Sequence, residues 1–459
     1  MIFKNQDSDK SAIQGELFKK SKRSLSAEER VSLLQKSLYC KAKQEKGYKF
    51  YVLYDKMFIG YMLAEAYRRV KENKGSAGVD GKSFGTIEKQ GLEDFLKDLG
   101  EDLRKKTYRP SAVKRVWIEK ANGGKRPLGI PTIRDRVAQM VCKMIIEPIF
   151  EADFEDCSYG FRPDRSSKDA MKDIKEHLQS GKTEVLDADL SSYFDTIPHD
   201  KLQIVLKQRI SDGRLLHLIN LWLKSPVYED GEFKGGKNQT TGTPQGGVIS
   251  PLLANIYMHL VDKIVSDTNR LFHQSGIRMV RYADDFVLMG KRITTNAEEA
   301  LRRVLGRMGL TLNDKKTRKV NATETPFNFL GFTVRYDKDI SGKTNRYWNI
   351  VPSDKSAKKI REKVAEFLGK SGHLAPGSVA YGLNELVRGW LNYYDVPGVS
   401  YPAMSKRKLR YYMLQRLERY YNRKSQRRSR LYGPQAFELL VSKYGLIDPT
   451  KYYVGKLRR

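Results

Sequence analysis

The sequence predicts an α+β protein, and three observations carry that prediction. Residues 184–190 and 279–289 are strand-like runs of β-branched, aromatic and aliphatic residues that also carry carboxylates. Residues 134–150 and 297–308 space their apolar side chains as amphipathic helices do. Beyond about residue 350 the chain turns helical and basic. Its 459 residues, 40% hydrophobic, suffice for two or three domains with a buried core. A formal charge of +31 points to a polyanionic partner, nucleic acid ahead of an anionic membrane. Aromatic residues at 10%, with 26 tyrosines, favour nucleic acid, because bases stack on rings while phosphates meet cations. No apolar run is long enough to span a bilayer, and residues 1–23 are polar and charged. A cytoplasmic, nucleic-acid-associated location without a membrane partner is therefore expected. Cys40, Cys142 and Cys157 match no zinc spacing and suit a reducing compartment.

The first thirty or so residues are lysine-rich and polar, the composition of a flexible or partly ordered segment. Val31, Leu34 and Leu38, then Leu53, Met57, Met62, Leu63 and Ala66, recur at helical spacing. Asn73 to Gly81 is a glycine-punctuated basic loop, on its own a surface connection. Val113 to Glu119 alternates apolar and charged residues, and a turn at Ala121-Asn122-Gly123-Gly124 leads into Lys125-Arg126-Pro127. This reads as a β-hairpin with cations near its tip, although lysine also guards ordinary sheet edges. Gly160 and Pro163 break the chain in Ser158-Tyr159-Gly160-Phe161-Arg162-Pro163, which puts Arg162 and Arg165 at a turn, exposed.

In Glu184 to Leu190 the two-residue period puts Val185, Asp187 and Asp189 on one face and Leu186, Ala188 and Leu190 on the other. One face is oily and the other acidic, which invites a metal. Pro198 ends the strand, and helical spacing resumes through Leu206, with His199 a turn or capping residue. In Gly242 to Tyr257 the glycines allow close backbone approach. Ser250 can cap, Pro251 fits a first helical position, and a buried helix follows. Arg281-Tyr282-Ala283-Asp284-Asp285 places adjacent carboxylates at the tip of a hydrophobic hairpin. Their repulsion is best relieved by a hard divalent cation such as Mg²⁺, although aspartates also occupy solvated turns. In residues 406–412 and 416–430 cations and tyrosines interleave, which favours an RNA-binding face that includes Lys406, Arg407 and Arg410 over a merely solvated one.

These residues resemble a known family. Tyr282-Ala283-Asp284-Asp285 resembles the catalytic box of reverse transcriptases, and residues 189–194 resemble its companion acidic motif. Residues 242–257 are similar, nearly letter for letter, to the glycine motif of intron-encoded enzymes. Ser158 to Pro163, Phe329-Leu330-Gly331-Phe332 and residues 382–394 resemble further blocks of group II intron proteins, in the family's order. The similarity covers about residues 70–430.

The resemblance implies a right-hand polymerase of fingers and palm, an antiparallel sheet plus helices, followed by an α-helical thumb. Residues 1–55 would be a partly helical extension, 56–185 fingers, 186–345 palm with the glycine-loop region 225–260, 346–430 the thumb or maturase domain, and 431–459 a basic tail. Asp189, Asp284 and Asp285 would be catalytic and, with Leu190 counted among the metal positions, would hold two Mg²⁺ ions, for which Mn²⁺ can substitute. Arg126 would contact the triphosphate, with Lys120 a weaker candidate, and Lys316 would lie near the nucleotide phosphates. Phe194 would exclude a 2′-hydroxyl, Gln245 would touch template base or nucleotide sugar, and the loop at Asn73 to Gly81 would handle template. Arg162 and Arg165 would meet template backbone, and Arg388, Trp390 and Tyr393 would belong to the nucleic-acid-binding thumb. The partners would be group II intron RNA or another RNA template, a DNA primer and dNTPs. Many relatives carry a C-terminal HNH-type nuclease with cysteines and histidines. With no Cys after Cys157 and no His after His373, that domain is expected to be absent. Two alternatives keep other biology: an enzyme recruited for phage defence, DNA repair or CRISPR spacer acquisition, and a non-enzymatic splicing chaperone.

Overall fold

In the computed structural model of the chain, residues 25–119, 124–236, 238–244, 246–339, 345–424 and 435–454 are described. Their strands, in chain order, are β1 (Val113–Glu119), β2 (Lys125–Ile130), β3 (Glu184–Ala188), β4 (Val227–Glu229), β5 (Glu232–Lys234), β6 (Arg278–Tyr282), β7 (Asp285–Gly290), β8 (Arg318–Asn321), β9 (Phe327–Phe329), β10 (Phe332–Lys338) and β11 (Arg346–Pro352). Two compact units share the chain. The first takes Met1–Ser166, Ala188–Val287 and Thr294–Thr317, the second Ser167–Asp187, Leu288–Ile293 and Arg318–Arg459. The mixed α+β class expected from the sequence is what the structure contains. No helix among the described residues is long and apolar enough to cross a membrane.

The first unit is built round the helix Ile133–Glu151, whose residues are almost all buried. Thr132 starts it by accepting from the Asp135 amide, and Pro148 sits inside it without ending it. The helix Ala27–Gln44 packs along it, opened by a reciprocal capping box between Ser26 and Glu29. Its far end is closed by a distant residue. Buried Arg209 donates to the carbonyls of Ala42 and Glu45, a cation placed where a helix presents its negative pole. Asp212 then ties two elements together. One carboxylate oxygen accepts from the amides of Leu53 and Tyr54, the other from Arg214 and Leu215 at the start of the helix Gly213–Leu223. The N-terminal helical region is thus part of this unit's core.

β1 and β2 form the expected antiparallel hairpin, with Ile118 opposite Arg126 and Trp117 opposite Pro127. The sheet continues beyond the sequence reading. β4 pairs in parallel with β1, and β5 turns back on β4, giving the order β2-β1-β4-β5. The signal was present in Asp230-Gly231 between two short strands, a two-residue hairpin signature. The hairpin of β6 and β7 carries the paired aspartates, and β3 is the next strand beside β7. The apolar helix Ser250–Ser266 belongs to the same unit. Ser250 does not cap it, because its hydroxyl donates to the Pro244 carbonyl and Ile249 occupies the cap position.

In the second unit the early residues of β3 pair with β8, from Glu184 opposite Asn321 to Asp187 opposite Arg318. A separate antiparallel sheet orders β11-β10-β9. The helices Asp354–Lys370, Pro376–Tyr394, Ala403–Lys424 and Ala436–Tyr444 pack on one another. Within the stretch read as a basic tail, Phe437 and Leu440 bury the short last helix.

Candidate active site

Asp189 directly follows β3 and is held from its backbone. Its carbonyl accepts the Asn313 amide at 2.8 Å, and the Ser191 amide donates to the Thr311 carbonyl at 3.0 Å. This pairing carries residues 311–317 along the acidic strand and brings Lys316 over the carboxylate, its Nζ 3.0 and 3.3 Å from the two oxygens. Leu190 buries a hydrocarbon side chain, so only its backbone carbonyl is available to a cation.

Asp284 lies at the turn between β6 and β7 and is half-buried. Burial pushes its carboxyl above the usual carboxylate range, and the charge of Asp189 pushes the same way. A hydrogen bond with its own backbone, Arg126 and Arg281 oppose the rise without reversing it. Asp189, Asp284 and Arg126 therefore share one electrostatic neighbourhood, although they come from distant stretches of chain. Asp285 opens β7 and is exposed. Among the described residues no three acidic, histidine or cysteine side chains are gathered closely enough to ligate one ion. The arrangement nevertheless fits a divalent cation. Its donors are hard oxygens, the charge of Asp189 raises the cost of ionising Asp284, and an ammonium already rests on the Asp189 carboxylate.

The turn itself is clamped from below. Ala283 adopts a left-handed φ of 59°, a conformation that costs a non-glycine residue about 1 kcal/mol. Arg281, fully buried, spends all its donors there. It binds both oxygens of Asp262, the Asn255 carbonyl oxygen at 2.9 Å, the Ser158 hydroxyl at 2.7 Å and the Ala283 backbone carbonyl at 2.8 Å. Asn255 also donates to the Gly160 carbonyl. Gly160 lies so close that a Cβ would come within 2.4 Å of the Ala283 nitrogen. Sequence reasoning missed this cluster. A signal existed, because Asn255 and Asp262 are seven residues apart, on one face of an otherwise apolar helix.

Phe194 stands in the short turn Tyr193–Thr196, half-buried, its ring 5.5 Å from that of buried Tyr193. Its carbonyl accepts the Thr243 amide at 2.6 Å, so the glycine segment and the turn are strapped together. Lys120 and Gln245 lie outside the described residues.

Residues 118–334 match the family model described as reverse transcriptase (RNA-dependent DNA polymerase), and residues 357–433 match the group II intron maturase-specific domain. Protein YkfC of Escherichia coli (strain K12) is 36% identical over 330 residues, which is 64% of this chain and 85% of that protein. The chain belongs to the group II intron-encoded reverse transcriptase and maturase family. The group II intron-encoded protein LtrA of Lactococcus lactis subsp. cremoris is 37% identical over 215 residues, 46% of this chain and 34% of that one. An uncharacterized 91 kDa protein in the cob intron of Schizosaccharomyces pombe is 26% identical over 431 residues, 77% of this chain and 52% of that one. The chain thus spans most of YkfC but only about a third and about half of these two intron-encoded relatives. Enzymes of this family generally use divalent metal ions.

Several cations of this reverse transcriptase and maturase point inward, contrary to the sequence reading. Arg162 is not exposed to template. Buried over the Phe154 ring, it pairs with Glu151 and donates to the carbonyls of Glu155 and Ser158. Arg165 pairs with Asp156 above Tyr159. Within this stretch Ser158 and Gly160 support the turn at Ala283, while the arginines pair with acids of their own unit. In the second unit Lys406 is buried against Asp395 and the Tyr452 carbonyl, and Arg410 pairs with Asp448 and Glu438 over Phe437. Trp390 is buried, so its ring has no open face for a base. Arg388, Tyr393 and Arg407 are exposed, and the Tyr393 hydroxyl donates to the Leu330 carbonyl.

Proposed function

We propose that the chain copies RNA into DNA at the cleft formed by Asp189, Asp284 and Asp285, and that its helical second unit binds intron RNA to assist splicing. The single observation that carries the reading is the meeting of Asp189 and Asp284 with Arg126 and Lys316 in one charged neighbourhood. Asp189, Asp284, Asp285 and the Leu190 carbonyl would hold two Mg²⁺ ions, or Mn²⁺ in their place, whose chemistry is to activate the primer 3′-hydroxyl and neutralise the triphosphate. In the reaction the primer 3′-oxygen bonds to the α-phosphorus while the bond to the bridging oxygen breaks and pyrophosphate leaves. Arg126 offers a planar fork of donors to phosphate oxygens, and Lys316 a point charge. Phe194 excludes the 2′-hydroxyl and so selects dNTPs. Lys120 and Gln245 complete the nucleotide contacts in this reading. Exposed Arg388, Tyr393 and Arg407 meet nucleic acid. The internally paired cations Arg162, Lys406 and Arg410 do not.

Primer extension tests this reading. Purified protein with an RNA template, an annealed DNA primer, dNTPs and Mg²⁺ should extend the primer, and Asp284→Ala should lower the rate by at least about 10³-fold while leaving RNA affinity nearly unchanged. An Asp284→Ala protein that polymerises at the wild-type rate, or a wild-type protein inert with both Mg²⁺ and Mn²⁺, removes the assignment.

A further inference from the structure

His199 is a buried polar residue near the Phe194 turn that the proposed chemistry does not use. It opens the helix His199–Leu206 and is 4% exposed. Its Nε2 lies 2.6 Å from the Gly242 carbonyl. A carbonyl only accepts, so Nε2 carries the proton and donates. Burial lowers the basicity of the ring, which suits a neutral donor.

That bond is one rung of a continuous strap between residues 194–199 and 240–243. The His199 amide donates to the Thr240 carbonyl at 2.9 Å, Pro198 bridges Thr241, and the Gly242 amide donates to the Ile197 carbonyl at 2.8 Å. The Thr243 amide donates to the Phe194 carbonyl at 2.6 Å, and the Thr243 hydroxyl reaches the same oxygen at 3.4 Å. Gly242, at φ +92°, presses so close that a Cβ would stand 3.1 Å from the Asp195 carbonyl oxygen. The backbone that carries the Phe194 ring is therefore fixed by a loop, and the His199 imidazole is the side chain of residues 194–199 that holds that loop at Gly242, beside the backbone rungs.

We infer that His199 is a positioning residue for sugar selection: by pinning Gly242 it holds the strap that keeps the Phe194 ring where it excludes a 2′-hydroxyl. The inference rests on the reading of Phe194 as the sugar gate. A steric gate rejects a single oxygen atom, so it works only while its wall cannot recoil. His199 acts through Gly242 and not on the reacting atoms.

The test measures kcat/KM for a dNTP and its matching rNTP in primer extension by the full chain, and takes their ratio. A residue that serves only stability lowers both values together and leaves the ratio alone. His199→Ala should cut the dNTP preference by about tenfold or more, and Phe194→Ala should cut it at least as far. His199→Gln, whose amide nitrogen can mimic Nε2–H, should restore it to within about threefold of wild type. A wild-type ratio in His199→Ala alongside a lost preference in Phe194→Ala overturns the inference and leaves the gate standing. An unchanged ratio in Phe194→Ala removes the gate and the inference with it. If His199→Ala does not fold, His199→Asn, whose amide stops short of Gly242, takes its place under the same criteria.

Discussion

Asp284 is ionised at a cost to the fold. Burial and the nearby Asp189 raise its carboxyl above the usual range, so the folded state holds that proton more tightly than the unfolded chain does. The sign follows from linkage. The penalty is absent below the unfolded carboxyl value, grows as pH rises from there to the folded value, and is complete at neutral pH. Asp284→Asn should therefore raise the Tm at pH 7 in the presence of EDTA. Added Mg²⁺ should stabilise the wild type more than this variant. A Tm equal to or below that of wild type in EDTA contradicts the account, and scanning fluorimetry reads it directly. Asp189 and Asp284 stood out in the sequence because two separate hydrophobic strands each carried carboxylates. Arg281, Asp262 and Asn255 were not, because each becomes a partner only after a helix and a hairpin meet. His199 read as a turn residue for the same reason, since Gly242 lies far along the chain.

At the level of elements, the strands and helices were mostly legible and the direction of their cations was not. In Ala403–Lys424 the buried stripe is Leu409, Met413, Leu417 and Tyr421, and Lys406 and Arg410 flank it closely enough to be drawn into internal pairs. Alternating Lys, Arg and Tyr cannot reveal which cations have acids waiting inside. The capping of two elements by Asp212 supports a sharper prediction. Burial works against its charge, but four backbone amides outweigh that and hold its carboxyl below the usual range. Its contribution is present above the ordinary carboxyl value, about 3.9, and is lost as pH falls through the lower folded value. Asp212→Ala should cost about 1–3 kcal/mol in urea unfolding at pH 7, since it strips partners from buried amides. The difference from wild type should shrink as the pH of the titration is lowered below about 3.9. A difference independent of pH would mean that packing, rather than the carboxylate, was lost.

For the molecule as a whole, the charge of +31 is larger than its internal pairs need. Cations such as Arg162, Arg209, Arg281, Lys406 and Arg410 are used within the fold, and the exposed remainder faces solvent. Binding to RNA should weaken steeply with salt, by about 10³-fold or more between 50 and 200 mM if six or more phosphates are neutralised. Asp284→Asn should keep the same slope. Filter binding across a salt series checks both, and a flat profile would deny the cationic surface its role. The first unit is assembled from three separate stretches of chain, and Asn313, Lys316 and Thr317, which fasten Asp189, come from the last of them. A ribosome must therefore deliver residue 317 before the acidic pocket can close, and a nascent chain that stops short of residue 313 carries Asp189 without its Lys316 counter-ion and its backbone anchor at Asn313.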